Sequence, residues 1–224
     1  GQTAGAVNQV VVNNVPGGTD QLYIAVGHFY TNSPAVGNNV ISTFNSAGGL
    51  TWALVTGTRG CADRITQPRA EWWWAFGSPS TFNATVDLAG TTEVAGAHIA
   101  FVRISGAANQ APINAEYANT AGDNATCDTT GTDNSSPTIT ITVSNSNSLI
   151  LNSAHPRNQS TGVTTPDSNY TQSYEVLNIS GGNASTIWAG YRTISPAPGS
   201  TTITHSIGAA KALVMVASEI KEAP

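Results

Sequence analysis

The chain has 224 residues, of which 40% are apolar and 9% charged, and its formal net charge is −5. Average globular proteins are about 25% charged, so the surface here must be built from Ser, Thr, Asn and Gly. The only lysines are Lys211 and Lys221, so no basic cluster exists to track phosphates, and no apolar run is long enough to span a bilayer.

No segment has helical periodicity. Short β-rich runs alternate with Gly, Pro, Asn and Asp, which is the pattern of strands and turns. They predict strands at 8–15, 20–29, 37–44, 50–57, 70–76, 81–88 and 94–104. A polar stretch, 105–136, reads as a long loop. Strands resume at 137–144, 147–154, 169–177, 185–193, 200–207 and 211–220. The fold class expected is all-β and antiparallel.

The two series of strands run in parallel. LYIAVGH matches LILNSAH, ending on His28 and His155, and EWWWAFG matches STIWAGY, aligning Trp74 with Trp188. TFNATVDLAG matches STTITHSIGA, and HIAFVRI matches VMVASEI, aligning Ile104 with Ile220. These matches predict an internal duplication of a five- to six-strand unit. Residues 1–15 are read as an N-terminal strand and 16–224 as a β-sandwich, with pseudo-repeats at about 16–104 and 137–221 joined by the loop 105–136. The simplest arrangement is two sheets packed face to face, a jelly-roll-like antiparallel β-sandwich; two tandem β-domains are the alternative.

The order LYIAVGHFY, LTWALVTGT, RAEWWWAFG, TFNATVDL, AHIAFVRISG, continued by SLILNSAH and KALVMVASEI, resembles a loose jelly-roll family of secreted bacterial proteins and phage tail or capsid accessory proteins. The resemblance implies a β-sandwich with a surface or structural role and transfers no active-site residues.

The residues themselves show no catalytic constellation. Glu71, Glu93, Glu116, Glu175, Glu219 and Glu222 form no pair on alternate positions of one strand, as a jelly-roll glycosidase would need. A G-x-S-x-G elbow and a phosphate-binding glycine loop are both missing. An enzyme is not expected. His28 shares a strand face with Leu22, Ile24 and Val26 and reads as a rim-of-core histidine, with His155 as its counterpart; no metal site is assigned. Asp123, Asp128 and Asp133 lie in one polar loop, which makes calcium a minor cofactor candidate. In Trp72-Trp73-Trp74, alternation sends Trp72 and Trp74 to one face with Phe76 and sends Trp73 to the other with Glu71 and Ala75. Trp73 and Tyr191 are the candidate sugar-stacking groups of the alternative reading, a carbohydrate-binding or adhesive module. A phage tail or capsid accessory protein is the third.

The chain opens with Gly1 and carries no signal sequence, so it is expected to be a mature secreted product. In an oxidising compartment Cys61 and Cys127 are expected to pair, closing a loop of about 67 residues worth on the order of 4 kcal/mol. Seven N-x-S/T sequons occur, at Asn83, Asn124, Asn134, Asn158, Asn169, Asn178 and Asn183, and N-glycans are expected on several. Asn83 falls inside a predicted strand and must face solvent to serve.

Two further features point to self-association. HIAFV and ALVMVA leave no polar face, so both sides of those strands must be covered, by an internal loop or by another subunit. The N-terminus, GQTAGAVNQVVV, is free of charge and suited to joining the open edge of a neighbour's sheet. Its assembly residues are Gly1, Gln2, Thr3, Ala4, Gly5, Ala6, Val7, Val10 and Val12. Repeated head to tail, such a contact builds an open filament. The leading expectation is therefore an extracellular structural subunit whose partner is itself.

Overall fold

The structure is a computed structural model that describes residues 2–4, 8–31, 40–61, 68–89, 94–119, 135–157, 163, 166, 169–176, 186–193, 199–208, 210, 213–223. It is all-β and antiparallel. In the first half run β1 (Gln2–Ala4), β2 (Gln9–Val15), β3 (Gln21–Thr31), β4 (Ile41–Phe44), β5 (Ala53–Leu54), β6 (Gly60–Cys61), β7 (Pro68–Gly77), β8 (Phe82–Leu88) and β9 (Val94–Ile104). In the second run β10 (Ile113–Asn119), β11 (Thr138–Val143), β12 (Leu149–Pro156), β13 (Thr171–Val176), β14 (Ile187–Thr193), β15 (Gly199–Thr204) and β16 (Leu213–Ile220).

Four sheets result. A six-stranded sheet has the order β1-β9-β3-β7-β5, with β6 also on β7, and a three-stranded sheet has the order β2-β8-β4. A five-stranded sheet has the order β10-β16-β12-β14-β13, and a two-stranded sheet joins β11 to β15. Each half thus makes its own sandwich of one large and one small sheet. The first core lies between β2, β4 and β8 on one side and β3 and β9 on the other, with Val10, Ala25, Phe29, Val86 and Ile99 buried in it. The second lies between β11 and β15 and β12, β14 and β16, around Ile141, Ile150, Trp188, Ile203 and Met215.

A third core joins the two halves. Leu22, Ile24 and Val26 of β3 and Trp72 of β7 meet Leu151 of β12 and Val214, Val216 and Ile220 of β16. The large sheets are therefore stacked back to back, and the order of layers is small, large, large, small. Four sheets thus stand where the simplest arrangement had two. It also answers the two-sided apolarity of β9 and β16. The second face of these strands packs in the core shared with the other half of the same chain, to which Ala107 of the 105–136 stretch also contributes. At about 25 cal/mol per Å² of apolar surface buried, a sheet-on-sheet contact of this kind strongly favours the closed four-layer form.

The two halves share one strand order and one register. Leu22 pairs with Ile104 and Leu149 with Ile220 at the start of β3 and β12. Ile41 pairs with Leu88, and Val163 bridges Ile207. Asp20 and Asn147, each two residues before those leucines, have φ of 50° and 60°, the left-handed conformation that Asp and Asn tolerate in tight turns. One expected match shifts. With His28 and His155 aligned, the ladders place Trp188 opposite Ala154 and Glu71 opposite Gly27, so Trp188 corresponds to Glu71 and Trp74 to Tyr191.

Two strands differ from expectation. β10 lies inside the stretch read as loop, because INAEYAN has too few apolar positions to announce an edge strand. The N-terminal strand is broken into β1, on the six-stranded sheet, and β2, on the three-stranded sheet.

Candidate functional site

The N-terminal segment meets its own chain twice. Gln2, Thr3 and Ala4 pair with His98, Ala97 and Gly96 of β9. Gln9 to Val12 pair with Asp87 to Ala84 of β8. Val10 is fully buried, and Val12 packs partly buried against the same core. The assembly residues proposed from sequence therefore divide. Val10 and Val12 belong to the first sandwich, which removes them from the transferable stretch. Gln2, Thr3 and Ala4 lie on a sheet edge, in a ladder of three residues. Gly1, Gly5, Ala6 and Val7 lie outside the described residues.

The corresponding strand of the second half is β10. It runs along β16 from Asn119 opposite Val214 to Ile113 opposite Glu219, with a bulge between Ile113 and Glu116. On β9 the equivalent positions are His98 to Arg103, and β1 reaches only His98. β3 pairs with one side of β9 throughout; among the described residues, no strand lies along its other side from Ala100 to Ile104. An edge of this kind offers unpaired N–H and C=O groups for strand addition.

Beneath the β1–β9 ladder, imidazoles are buried between the large sheets. His28 and His98 face each other across β3 and β9, and His155 meets His28 edge-on, with ring centroids 5.3 Å apart. The ring of Tyr174 lies 5.1 Å from that of His98. Neither ring nitrogen of His28 has a hydrogen-bond partner. Burial pushes the His28 pKa well below the ordinary imidazole value, aided by His155 and His98. Burial lowers His98 to about 4 and His155 to about 3. The cluster is thus uncharged at neutral pH. The shared face read for His28, Leu22, Ile24 and Val26 is present, but it is the interface between sandwiches rather than a rim. Among the described residues, no group of three or more His, Cys, Asp or Glu is placed to hold a metal ion.

The sugar-stacking candidates are not brought together. Trp73 is half-buried against the first core; its Nε1 donates to Oε1 of Glu71 at 2.6 Å, and Phe44 packs on it with ring centroids 5.5 Å apart. Glu71 is fully buried. Its other oxygen accepts the Val40 N–H at 2.9 Å, and Arg59 reaches Oε1 at 3.3 Å. The tryptophan and carboxylate read as a possible sugar platform are spent on holding the entry to β4. Tyr191, by contrast, is 36% exposed, and with Val11 it forms the set of exposed large apolar side chains among the described residues.

Of the sequons, Asn83 and Asn169 are described, and both are exposed. Asn83 lies on the outer face of β8 and accepts the Asn14 N–H through Oδ1 at 2.9 Å, which leaves its nitrogen, the atom that carries a glycan, on the solvent side. Asn124, Asn134, Asn158, Asn178 and Asn183 lie outside the described residues, as do Cys127, the prospective partner of Cys61, and the candidate calcium loop with Asp123, Asp128 and Asp133.

Sequence reasoning missed one feature of the site, the mismatch between a three-residue β1 and a seven-residue β10 on equivalent edges. Its signal was the alignment of HIAFVRI with VMVASEI, which makes β9 and β16 counterparts and so prompts a search for what lies beside each. No helix among the described residues is long and apolar enough to cross a membrane. No protein-family model matches the chain, and no curated protein matches it.

Proposed function

We propose that this protein is a non-catalytic structural subunit that works outside the cell and assembles with copies of itself by β-strand addition through its N-terminal segment. The observation that carries the reading is the partly occupied edge of β9. β1 covers three residues of it, where β10 covers the length of the equivalent edge of β16. A monomer normally protects such an edge with charge, proline or a cover. Here the six-stranded sheet presents it next to a charge-free segment held by only three residues of ladder. The same segment in a neighbour would find the same edge, so exchange between copies costs little and propagates head to tail.

The rest of the chain fits that role. Its buried carboxylates, Glu71 and Glu219, are tied to backbone N–H groups, which suits a rigid building block. The exposed Asn83 and Asn169 and the low charge content suit a surface kept in solution by N-glycans. The jelly-roll resemblance belongs to the same reading, as does a Cys61–Cys127 staple. Electron microscopy of the native protein at neutral pH tests it. Ordered filaments or sheets are expected, and dispersed monomers at high concentration would overturn it.

A further inference from the structure

We infer that the acceptor for the incoming strand is a groove between the two large sheets at the free end of β9, and that its occupant is the N-terminal segment of a second copy of this chain. This rests on the self-assembly reading above and adds the place where the copies join.

The groove has a volume of about 400 Å³. It is lined by Val102 and Ile104 of β9, Leu149 and Leu151 of β12, Ser173 of β13 and Tyr191 of β14. Its rim is β9 from Ala100 to Ile104, which among the described residues has a strand partner only on the β3 side, so backbone hydrogen bonding and an apolar floor are offered side by side. That combination is what an extended peptide needs to add to a sheet: main-chain bonds along the edge and alternate side chains in the groove.

Three observations single out the occupant. First, the site continues a ladder already present. β1 runs antiparallel to β9 and ends at Gln2 opposite His98, so a strand lying from Ala100 to Ile104 prolongs the same interface in the same direction. Second, the chain fills the matching site in its other half with its own strand. There β10 lies along β16 and also reaches β6 across the interface between sandwiches. On β9 no described strand fills the corresponding place, and Tyr191 on the groove wall is 36% exposed. Third, charge fits. Arg103 is the one charged side chain among the described residues of the groove wall, and it is turned to the carbonyl of Gly17. Residues 1–12 carry no charged side chain, so no ionic side chain must be desolvated on entry. An acidic or basic peptide would lose hydration here without a counter-ion.

In the trans arrangement the segment has more edge to use. From Gly96 to Ile104 β9 offers nine residues. In cis the segment covers three, Gly96 to His98. The small side chains of Thr3, Ala4, Gly5 and Ala6 match a shallow groove better than large ones would.

The test uses the full-length chain and four proteins: the native sequence, Ser173→Arg, Tyr191→Asp and Ala6→Asp. Ser173 is exposed and Tyr191 partly so, so neither substitution of the groove touches a buried contact, and a melting curve of each checks the fold. Polymer mass is read by light scattering and its form by electron microscopy. At least a tenfold loss of polymer in Ser173→Arg, Tyr191→Asp and Ala6→Asp, with melting unchanged, is expected. Loss in Ala6→Asp with full assembly in both groove variants overturns this acceptor while leaving strand donation standing. Assembly unchanged in all three, or no assembly of the native chain, overturns both.

Discussion

Arg103 of β9 and Glu219 of β16 stand at the same step of the two halves and clamp the same turn with opposite chemistry. Arg103 donates to the carbonyl of Gly17, in the turn that leads into β3. Glu219 accepts from the N–H groups of Ser144 and Asn145, at 2.8 and 2.9 Å, in the turn that leads into β12. The first turn contains Gly17, where a Cβ would run into the backbone of Pro79 and Ser80. The second has no glycine and is held instead by the carboxylate. Ser148, Asn114 and the Asn145 side chain complete its ring of donors at 2.6, 2.7 and 3.1 Å. Burial alone would raise the Glu219 pKa, but the bonds from Ser148, Ser144 and Asn145 outweigh it and hold the group below the usual carboxylate value.

Glu219→Ala is therefore expected to cost about 2–3 kcal/mol, since a charged acceptor is removed and several donors are left unmatched. Arg103→Ala, at an exposed position, is expected to cost under about 1 kcal/mol. Urea denaturation of the two variants checks the difference. Equal losses would contradict the asymmetry.

The histidine cluster predicts acid sensitivity. His28, His98 and His155 are neutral in the folded protein, whereas an unfolded chain binds protons near pH 6.5. The folded state is at full strength above that value and weakens as pH falls towards about 4 and 3, where His98 and His155 finally titrate. Each histidine contributes a slope of up to ~1.4 kcal/mol per pH unit across that window. Glu219 acts in the same direction, but only below the ordinary carboxylate range. Denaturant midpoints between pH 7.5 and 4.5 should fall, and His28→Asn should flatten the slope. A midpoint that stays level would refute the cluster's neutral state.

Truncation should separate the two parts of the N-terminus. Removal of residues 1–7 leaves β2 intact and is expected to shift the melting temperature little. Removal of 1–12 takes Val10 out of the core and breaks the β2–β8 ladder, so a large loss is expected. Val10→Ala alone is expected to cost about 2 kcal/mol, from lost burial and the cavity left behind. Similar melting curves for both truncations would show that β2 adds nothing.

Peptide mapping without reductant should recover a Cys61–Cys127 cross-link. Its reduction is expected to lower stability by up to ~4 kcal/mol in the chain-entropy estimate. Two free thiols by mass spectrometry would remove the staple.

Much of the fold was legible in the sequence because alternation and turn residues are local signals. LYIAVGH and HIAFVRI announced β3 and β9, and the match of Leu22 with Leu149 and of Ile104 with Ile220 held in the ladders. The layering was not legible. The apolar second face of VMVASEI says that something covers it, but not that β7 of the other half does so. β10 escaped because an edge strand needs few apolar residues. Alternation put Trp73 on one face with Glu71, and the bond between them follows from that, but it could not say what packs on that face; Phe44, which does, is far away in sequence. The open edge of β9 became visible only once β1 and β10 could be compared as neighbours of equivalent strands.

The most direct test of self-assembly through the N-terminal strand compares the full chain with the 1–7 truncation by electron microscopy at neutral pH and matched concentration. The account predicts ordered polymers from the full chain and folded, dispersed particles from the truncated one. Polymers of the same form from both would contradict it.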